Sequence, residues 1–308
     1  MKAAPVIDYR EMARRRAPRI LYVWNCRGFA ACLFLSIFGF SRAHARDWQS
    51  LYVFGDSYSD SGAGYVDGNG PTAVVYMAEA LHIPFTYAGD QHDDGKSLNF
   101  AVSGAQTGAG PGMRVRPVDS ECGHNEALFG RGMQNQVADF ARRVQSGALQ
   151  FESEKTLFFL AGGLNDANLS TTKSIENIEG ELRRLYDLGG RYALVALMPT
   201  RLAPDVKSYK ALNESISALP KHLRAVLPGM HVTVSRWGQY YDEVFKHPAK
   251  YGITNTKDRC AGRAVFGEDA TPCSAPESYF FYHEGHPSTA VHRIVGSNLV
   301  HELAEMVP

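Results

Sequence analysis

Short, continuously apolar segments alternate with amphipathic segments along most of the chain. The apolar segments predict buried strands at 51–54, 97–102, 156–160, 192–198 and 230–234. Apolar positions that repeat every three to four residues predict helices at 71–81, 133–144, 174–188, 206–227, 237–245 and 287–306. Buried strands that alternate with amphipathic helices are typical of a parallel sheet covered on both faces. The pattern therefore predicts an α/β fold, a three-layer α/β/α sandwich with a central parallel sheet.

Three places depart from this pattern. Pro220 falls inside the fourth predicted helix and is expected to break or kink it, because proline lacks the amide hydrogen. Residues 114–131, which contain a proline and two glycines, predict an inserted loop. Residues 251–278 predict a second long loop. Neither a repeat nor a linker interrupts the rest of the sequence, so a single domain is predicted.

The N-terminal segment has the composition of an export signal. Four arginines lie within 14–19, and an apolar run follows at 28–40. Ala43-His44-Ala45 has the small-x-small pattern of a signal-peptidase site, so we predict a secretory signal peptide at 1–45 and a domain at 46–308. The alternative is an uncleaved membrane anchor, but the run is shorter than the roughly 20 apolar residues that span a bilayer. The predicted location is therefore secreted or periplasmic.

Charge bears on the kinds of partner that the chain could bind, and cysteine content bears on the compartment in which it folds. Lys+Arg and Asp+Glu both number 32, a formal net charge of +0, which gives no reason to expect nucleic acid or an anionic membrane surface. Cys260 and Cys273 bracket a loop and predict a disulfide in an oxidising compartment, with Cys122 left unpaired. Three free thiols are the alternative. The spacing of cysteines and histidines is not that of a structural zinc site.

Ser57 lies just after the first predicted strand, in the segment Phe54-Gly55-Asp56-Ser57-Tyr58-Ser59-Asp60-Ser61-Gly62. Open α/β sheets place their sites at the carboxyl edge, so this turn would present the hydroxyl there. Serine in such a turn also often caps a helix or simply holds the turn. Two further stretches, 99–105 and 162–166, follow predicted strands, and a third, 283–288, precedes the last helix. A doubly wound sheet would bring all four to one edge.

Taken together and in this order, the four stretches resemble the GDSL family of the SGNH hydrolases. The segment 54–62 is most similar to the secreted lipase, esterase and lecithinase branch, and the resemblance extends from about residue 50 to about residue 305. It implies a flavodoxin-like α/β/α fold, hydrolysis of carboxylic esters and no metal cofactor. We expect a monomer that acts on an acyl ester, with no membrane span once the signal is removed.

The resemblance implies roles for four residues. Ser57 would attack the ester carbonyl, and because a serine hydroxyl is a weak acid it needs a base within hydrogen-bond reach. His286 matches the family's base and would deliver the proton to the leaving alcohol. The Ser57 and Gly104 amides and the Asn165 side chain match the oxyanion-hole donors, which stabilise the tetrahedral intermediate. Ordinary turn glycines and helix caps would explain the same residue types without catalysis.

The third member of the triad departs from the family pattern. The family usually has an aspartate three residues before the base histidine, and here that position is His283. Glu284 is the nearest carboxylate but lies one place out of register, so His283 and Glu284 are the candidates. We expect a Ser57–His286 dyad with a weak or neutral third partner. His283, His286 and His292 could also suggest a metal site, but no carboxylate or cysteine pattern supports one.

Two classes of function fit these residues. The first is a secreted ester hydrolase of lipid or small acyl esters that works through an acyl-enzyme, with deacetylation of acetylated polysaccharide as a variant. The second is a catalytically impaired relative that serves as an exported binding module. His283 keeps that second class open, and the intact Ser57 and His286 disfavour it. The segments 106–131 and 237–251 are expected to shape the acyl pocket, although they do not reveal chain length or headgroup.

Overall fold

The computed structural model describes residues 46–115, 127–202 and 206–305. The predicted signal peptide and Cys122 lie outside these ranges, so both stay predictions. The strands are β1 (Ser50–Gly55), β2 (Thr86–Tyr87), β3 (Leu98–Asn99), β4 (Pro111–Val115), β5 (Ala127–Arg131), β6 (Thr156–Ala161), β7 (Tyr192–Ala196), β8 (His231–Ser235), β9 (Asn255–Arg259), β10 (Tyr279–His283) and β11 (His286–Pro287). The α-helices are α1 (Ala73–Ala80), α2 (Met133–Gln145), α3 (Thr171–Asp187), α4 (Val206–Leu223), α5 (Trp237–Lys246) and α6 (Thr289–Glu305).

Six strands form one parallel sheet in the order β2-β3-β1-β6-β7-β8. β1 and β6 lie at its centre and are almost entirely buried, because both faces of the sheet are covered. Gly55 lies opposite Ala161, where a side chain would come within 2.6 Å of the Ala161 carbonyl oxygen. After β1 the chain forms the edge strand β2 and then β3, which lies between β2 and β1, and it continues with β6, β7 and β8 on the other side of β1. The carboxyl ends of β1, β3 and β6 therefore meet at the switch point where such sheets bind ligands.

Two groups of helices cover the sheet. α6 contacts α1 and α5, and α3 contacts α2 and α4. α3 begins three residues earlier than predicted, because the Ser170 side chain accepts the Lys173 amide at 3.2 Å and caps the helix. Its apolar face was predicted to carry Ile175, Ile178, Leu182 and Leu185; the last three are buried and Ile175 is half-buried. The predicted α/β fold with a central parallel sheet is confirmed.

Pro220 does not break its helix, so the part of the prediction that expected a break was wrong. α4 runs from Val206 to Leu223 with Pro220 inside it. Beyond Leu223 the chain forms a turn in which the Leu227 amide donates to the Leu223 carbonyl oxygen at 2.8 Å. Proline removes one backbone hydrogen bond and crowds the preceding turn. Because Pro220 lies in the last turn, only that end of the helix is affected, and the helix stops short of its predicted end at residue 227.

The two segments predicted as loops both contain strands. β4 and β5 pair as an antiparallel hairpin, which includes part of the segment 114–131. Within 251–278, β9 pairs with β10, which pairs in turn with β11 to form a three-stranded sheet. The prediction of plain loops was wrong because β9 reads Asn-Thr-Lys-Asp-Arg and is largely exposed. Such a strand has no apolar pattern of its own and forms only against its partner.

Cys260 and Cys273 form the predicted disulfide, with 2.05 Å between the sulfur atoms. The Cys273 amide also donates to the Cys260 carbonyl oxygen at 2.9 Å. These bonds close a loop that follows β9 and contains Arg263 and the short 3-10 helix Ala264–Phe266. The disulfide therefore fixes the two ends of a segment that lies outside the strands and α-helices.

Removing this disulfide should lower the free energy of unfolding. The double variant Cys260→Ser/Cys273→Ser restores freedom to the unfolded chain, a loss of about 3 kcal/mol for a loop of this size in the chain-entropy model. Urea unfolding of the oxidised protein and of the double variant measures the difference. A reductant should destabilise the native sequence by a similar amount and leave the double variant unchanged. Equal stability of the two oxidised proteins would contradict this prediction.

Candidate active site

The turn after β1 holds Ser57 at the carboxyl edge of the sheet. The Asp56 carboxylate accepts the Tyr58 amide at 3.1 Å, and the Asp56 carbonyl oxygen accepts the Asp60 amide at 2.9 Å. Ser57 itself is only 8% exposed, so its side chain sits in a closely packed position. The local hydrogen bonds of the turn therefore fix the direction in which the serine hydroxyl leaves the backbone.

Asp60 connects this turn to the loop after β3. Its carboxylate accepts the amides of Gly62 and Gly64 at 2.9 and 3.2 Å, and the amide of Ser103 at 2.8 Å. Burial raises the pKa of Asp60 to about 6 and that of Asp56 to about 7. Because both carboxyl groups are buried and accept backbone amides, their role in the fold is to hold the turn.

Gly104 follows β3 in a conformation that glycine adopts readily and other residues do not. Its φ is +79°, and a side chain there would come within 2.5 Å of the Phe129 ring on β5. The Ser103 carbonyl oxygen accepts the Gly130 amide at 2.7 Å, so the β4–β5 hairpin packs directly on this loop. The absence of a side chain lets another group approach the Gly104 backbone closely.

Asn165 lies on the loop after β6, which is joined to the Gly104 loop. The Asn165 side-chain amide donates to the Ala105 carbonyl oxygen at 3.0 Å, and the Gln106 side chain donates to the Asn165 carbonyl oxygen at 3.0 Å. Asp166 accepts the Thr107 amide at 2.9 Å and its hydroxyl at 2.6 Å. The structure therefore brings Gly104 and Asn165 to one edge of the sheet, on two loops that brace each other.

Ser57 and His286 are in hydrogen-bond contact. The Ser57 Oγ lies 2.8 Å from His286 Nε2. His286 begins β11, directly after a turn in which Gly285 has a φ of +71°. The Tyr58 hydroxyl donates to the Gly285 carbonyl oxygen at 2.8 Å, so the residue after Ser57 holds the turn that precedes His286. The serine and the histidine, 229 positions apart in sequence, are thereby held against each other.

Neither candidate for the third member presents a carboxylate to His286 Nδ1. That nitrogen lies 2.9 Å from the backbone carbonyl oxygen of Glu284. The Glu284 carboxylate points elsewhere, 3.5 Å from Arg259, and its side chain is 82% exposed. The buried His283 has its Nδ1 2.7 Å from an oxygen of Asp67. Of the two candidates for the third member, only Glu284 contacts His286 Nδ1, and it does so through its backbone carbonyl oxygen.

Asp67 and Arg263 are the residues of this site that sequence reasoning missed. Asp67 Oδ2 lies 3.2 Å from His286 Nε2, and Asp67 Oδ1 accepts the Arg263 Nε hydrogen at 3.1 Å. Arg263 Nη2 lies 2.5 Å from His286 Nδ1. Asp67 looks like an ordinary Asp-Gly turn residue in a glycine-rich segment, and Arg263 lies in a stretch predicted as loop. No local signal in the sequence would have connected them to His286.

These charges act on the pKa of His286 from both sides of its ring. Burial is the main cause that lowers this pKa below its ordinary value; the Asp67 carboxylate opposes the effect and the Arg263 guanidinium adds to it. Burial alone would raise the pKa of Asp67, but the hydrogen bond with His283 and the charges of His286 and Arg263 hold it below its ordinary value. Near neutral pH, Asp67 is therefore an anion and His286 is neutral.

His292 lies in the core behind the site. Its Nδ1 is 2.7 Å from the Tyr241 hydroxyl, and burial lowers its pKa to about 3. Trp237 and Tyr241 are fully buried and pack edge-on against Tyr58. The expectation that the segment 237–251 shapes a pocket is therefore wrong for these two rings. Among the described residues, no group of three or more His, Cys, Asp or Glu side chains is arranged to hold a metal ion.

Several known proteins are similar to this chain. A family model described as GDSL-like Lipase/Acylhydrolase matches residues 51–299. A GDSL esterase/lipase of Arabidopsis thaliana is 24% identical, in an alignment that covers 80% of this chain and 80% of the relative. The thermolabile hemolysin of Vibrio parahaemolyticus is 23% identical over 75% of this chain, which spans 54% of the hemolysin's length. A solved member of the lipolytic protein G-D-S-L family from Veillonella parvula aligns with 82% of this chain and 97% of its own, at 12% identity and a TM-score of 0.42.

The family match extends over most of the described chain. It includes Ser57, Gly104, Asn165 and His286, the four residues that the sequence singled out. The fold agrees with it, because these residues lie at the carboxyl edge of a parallel sheet flanked by helices. The chain belongs to the GDSL-like lipase/acylhydrolase family and is a carboxylic ester hydrolase.

Proposed function

We propose that the protein is an exported serine hydrolase that cleaves lipid or small acyl esters through an acyl-enzyme at Ser57. The observation that carries the proposal is the 2.8 Å contact between Ser57 Oγ and His286 Nε2. A neutral histidine in that position takes the serine proton as the oxygen attacks a carbonyl carbon. The same contact disfavours the alternative of an impaired binding module, since the base is within reach of the nucleophile.

The reaction would proceed in two halves. In the first, Ser57 Oγ bonds to the ester carbonyl carbon and its proton passes to His286 Nε2. The carbon–oxygen bond to the alcohol then breaks, and His286 returns the proton to the leaving alcohol. In the second half, His286 takes a proton from water, the resulting hydroxide attacks the acyl carbon, and the proton returns to Ser57 as the acid leaves. This step requires the proton of neutral His286 to be on Nδ1, where the Glu284 carbonyl oxygen at 2.9 Å can accept it, so that Nε2 presents its lone pair to Ser57.

The tetrahedral intermediates of both halves carry an oxyanion that needs fixed donors. The Ser57 and Gly104 amides and the Asn165 side chain are the proposed donors. Only one of the two amide hydrogens of Asn165 is used by the Ala105 carbonyl oxygen, so the other is left for the oxyanion. Removal of one donor of this kind costs about 10²–10³ in kcat. Because the Asn165 and Gly104 loops are braced together, these donors require little rearrangement during the reaction.

A cavity beside the Asn165 loop supports an acyl ester as the substrate. Its volume is about 390 Å³, and Leu164, Leu169, Tyr209 and Leu212 contribute apolar surface to its walls. The polar lining residues are Asp166, Ser170, Thr171, Ser174 and Ser208. Cavities that combine apolar surface with polar groups are typical sites for small ligands. A panel of p-nitrophenyl esters of increasing chain length, tested beside a phospholipid and acetylated xylan, identifies the ester class that the enzyme prefers.

Export is supported by the disulfide between Cys260 and Cys273, because such bonds persist in oxidising compartments. Removal of the signal after Ala45 would release a domain of residues 46–308. Within the described ranges, none of the helices has the length and apolar character of a membrane-spanning segment.

A fluorophosphonate probe should label Ser57 and no other serine. Only a serine with a neighbouring base is nucleophilic enough to react at useful rates, and Ser57 has His286 in contact. Peptide mass spectrometry of the labelled protein locates the adduct, with heat-unfolded protein as the unreactive control. An adduct on a different serine, or none at all on protein that turns over p-nitrophenyl acetate, would overturn the assignment.

A further inference from the structure

We propose that Asp67 supplies the negative charge that acts on His286, and that His283 and Arg263 hold this carboxylate in place. The inference rests on the proposed function, because it assigns a partner to the proposed base. It also gives a role to position 283, where the family's aspartate is replaced. In this chain, position 283 is a histidine that orients the carboxylate of Asp67. Asp67 lies on a loop more than two hundred residues earlier in the sequence.

The first support is the geometry of the Asp67 carboxylate. Its side chain is 3% exposed, on the glycine-rich segment between β1 and α1. Oδ1 accepts the His283 Nδ1 hydrogen at 2.7 Å and the Arg263 Nε hydrogen at 3.1 Å. Oδ2 is left facing His286 Nε2 at 3.2 Å. Two donors on one oxygen thus fix the orientation of the other oxygen towards the ring.

The second support is the setting of His283. The residue ends β10 and is 2% exposed, and its ring stacks on that of Tyr65 with 6.1 Å between ring centres and 9° between ring planes. An imidazole held in this way can donate from Nδ1 whether or not its other nitrogen is protonated. His283 can therefore hold Asp67 without carrying charge, which explains how a histidine is accommodated at the position of the family's aspartate.

The third support is the division of the two His286 nitrogens between different partners. Nδ1 lies 2.9 Å from the Glu284 carbonyl oxygen, which accepts the Nδ1 hydrogen in the tautomer that leaves Nε2 free to act as the base. When Nε2 takes the Ser57 proton, the ring becomes a cation with the Asp67 oxygen at 3.2 Å. An anion at that distance favours the charged form of the ring. Asp67 therefore stabilises the imidazolium that forms in the transition state, from the side of the ring opposite to the usual triad acid.

Arg263 opposes this effect and makes the inference testable in two directions. Its Nη2 lies 2.5 Å from His286 Nδ1 and donates to the Glu284 carbonyl oxygen at 2.8 Å. A protonated Nδ1 cannot accept from the guanidinium, so Arg263 acts on the ring as a positive charge. The other titratable groups that face the ring are His283, Tyr58 and His292. Burial raises the pKa of Tyr58 and lowers that of His292, so both are neutral in the range of the experiment.

The test compares pH profiles of kcat/KM for p-nitrophenyl acetate. In Asp67→Asn, loss of the anion lowers the pKa of His286, so the acidic limb should move to lower pH by about one unit, the low end of the range for a close charge pair. The plateau should fall about tenfold or more, because the imidazolium loses its counter-charge. In Arg263→Gln, loss of the cation should move the limb to higher pH. Asp94→Asn is the control, since it neutralises an exposed carboxylate that pairs with Lys96 at 3.3 Å, and its profile should match the native chain.

Two substitutions at His283 separate positioning from simple structural damage. His283→Asn retains an amide donor near the place of Nδ1, so its acidic limb should lie closer to the native one than that of a variant without a donor. His283→Leu removes the donor and should shift the acidic limb to lower pH, as Asp67→Asn does. Thermal unfolding shows which variants are folded. Because Arg263→Gln should shift the acidic limb in the opposite direction, general destabilisation would not produce both shifts.

NMR titration of the His286 ring in ¹⁵N-labelled protein keeps the inference independent of turnover. The pKa of His286 should be lower in Asp67→Asn than in the native chain and higher in Arg263→Gln. If the native chain hydrolyses esters and Asp67→Asn matches it in both profile and titration, the inference fails and the proposed function stands. If the native chain hydrolyses no ester, the proposed function fails, and the titration alone decides whether Asp67 acts on His286.

Discussion

Replacing Ser57 by alanine should reduce kcat/KM for p-nitrophenyl acetate by at least about 10⁴-fold, the scale seen when the nucleophile of a serine hydrolase is removed. Without Oγ no acyl-enzyme forms, and the remaining oxyanion donors act only on the slow attack of water. The fold should be unaffected, because alanine removes one oxygen whose described contact is with His286. Initial rates at saturating and limiting ester, corrected for spontaneous hydrolysis, measure the loss.

Ser61→Ala is the matched control for this substitution. Ser61 lies in the same turn, where its hydroxyl accepts the Asn99 side chain at 2.8 Å. Loss of that bond should leave turnover close to that of the native chain. Residual activity above a hundredth of native in purified Ser57→Ala would show that hydrolysis proceeds at another residue.

Replacing His286 by glutamine should lower kcat/KM by about 10²–10⁴-fold, the usual contribution of a positioned general base. Glutamine can hydrogen-bond to Ser57 but cannot take its proton at neutral pH. The rate of fluorophosphonate labelling at Ser57 should fall by a similar factor, because that reaction needs the same proton transfer. The difference in kcat/KM between His286→Gln and the native chain should become smaller at high pH, where hydroxide in solution substitutes for the base.

His247→Gln provides the control for the histidine substitution. His247 lies at the carboxyl end of α5 with its side chain 47% exposed, where it neighbours Glu243. Turnover and labelling should be unchanged in this variant. Unaltered labelling in folded His286→Gln would mean that a different group activates Ser57.

The sequence predicted a common sheet edge for the stretches that contain Ser57, Gly104 and Asn165, because each stretch follows a predicted strand. The catalytic roles proposed for these residues come from the family resemblance. A parallel sheet brings the carboxyl ends of its strands to one edge, so local pattern alone places such residues together. His286 was located in a different way, by its place in a family motif that precedes the last helix. The strand that carries it is only two residues long, and neither its pairing with β10 nor the contact with Glu284 has a local signature.

The charged groups around His286 were beyond the reach of the sequence. The meeting of Asp67, His283 and Arg263 depends on how three segments, far apart in the chain, pack on one another. From the sequence, His283 was seen only as the absence of a carboxylate at the position of the family's aspartate. Its contact with Asp67 depends on the tertiary fold and has no local signal. The same limit applies to β9, which is a strand only because β10 lies beside it.

The buried carboxylate of Asp60 also has a mechanical consequence. It ties the nucleophile turn to the Gly104 loop through the Ser103 amide, and that loop is braced in turn against Asn165. His286 belongs instead to the small three-stranded sheet. If that sheet moved, the distance from Ser57 Oγ to His286 Nε2 would increase, whereas the distances from Ser57 Oγ to the proposed oxyanion donors would stay the same. Bond formation therefore depends on the parallel sheet and proton transfer on the small sheet. Near the reacting atoms the two sheets are joined by the contact of Ser57 with His286, by the bond from Tyr58 to Gly285 and by the contacts of Asp67 with His283 and His286.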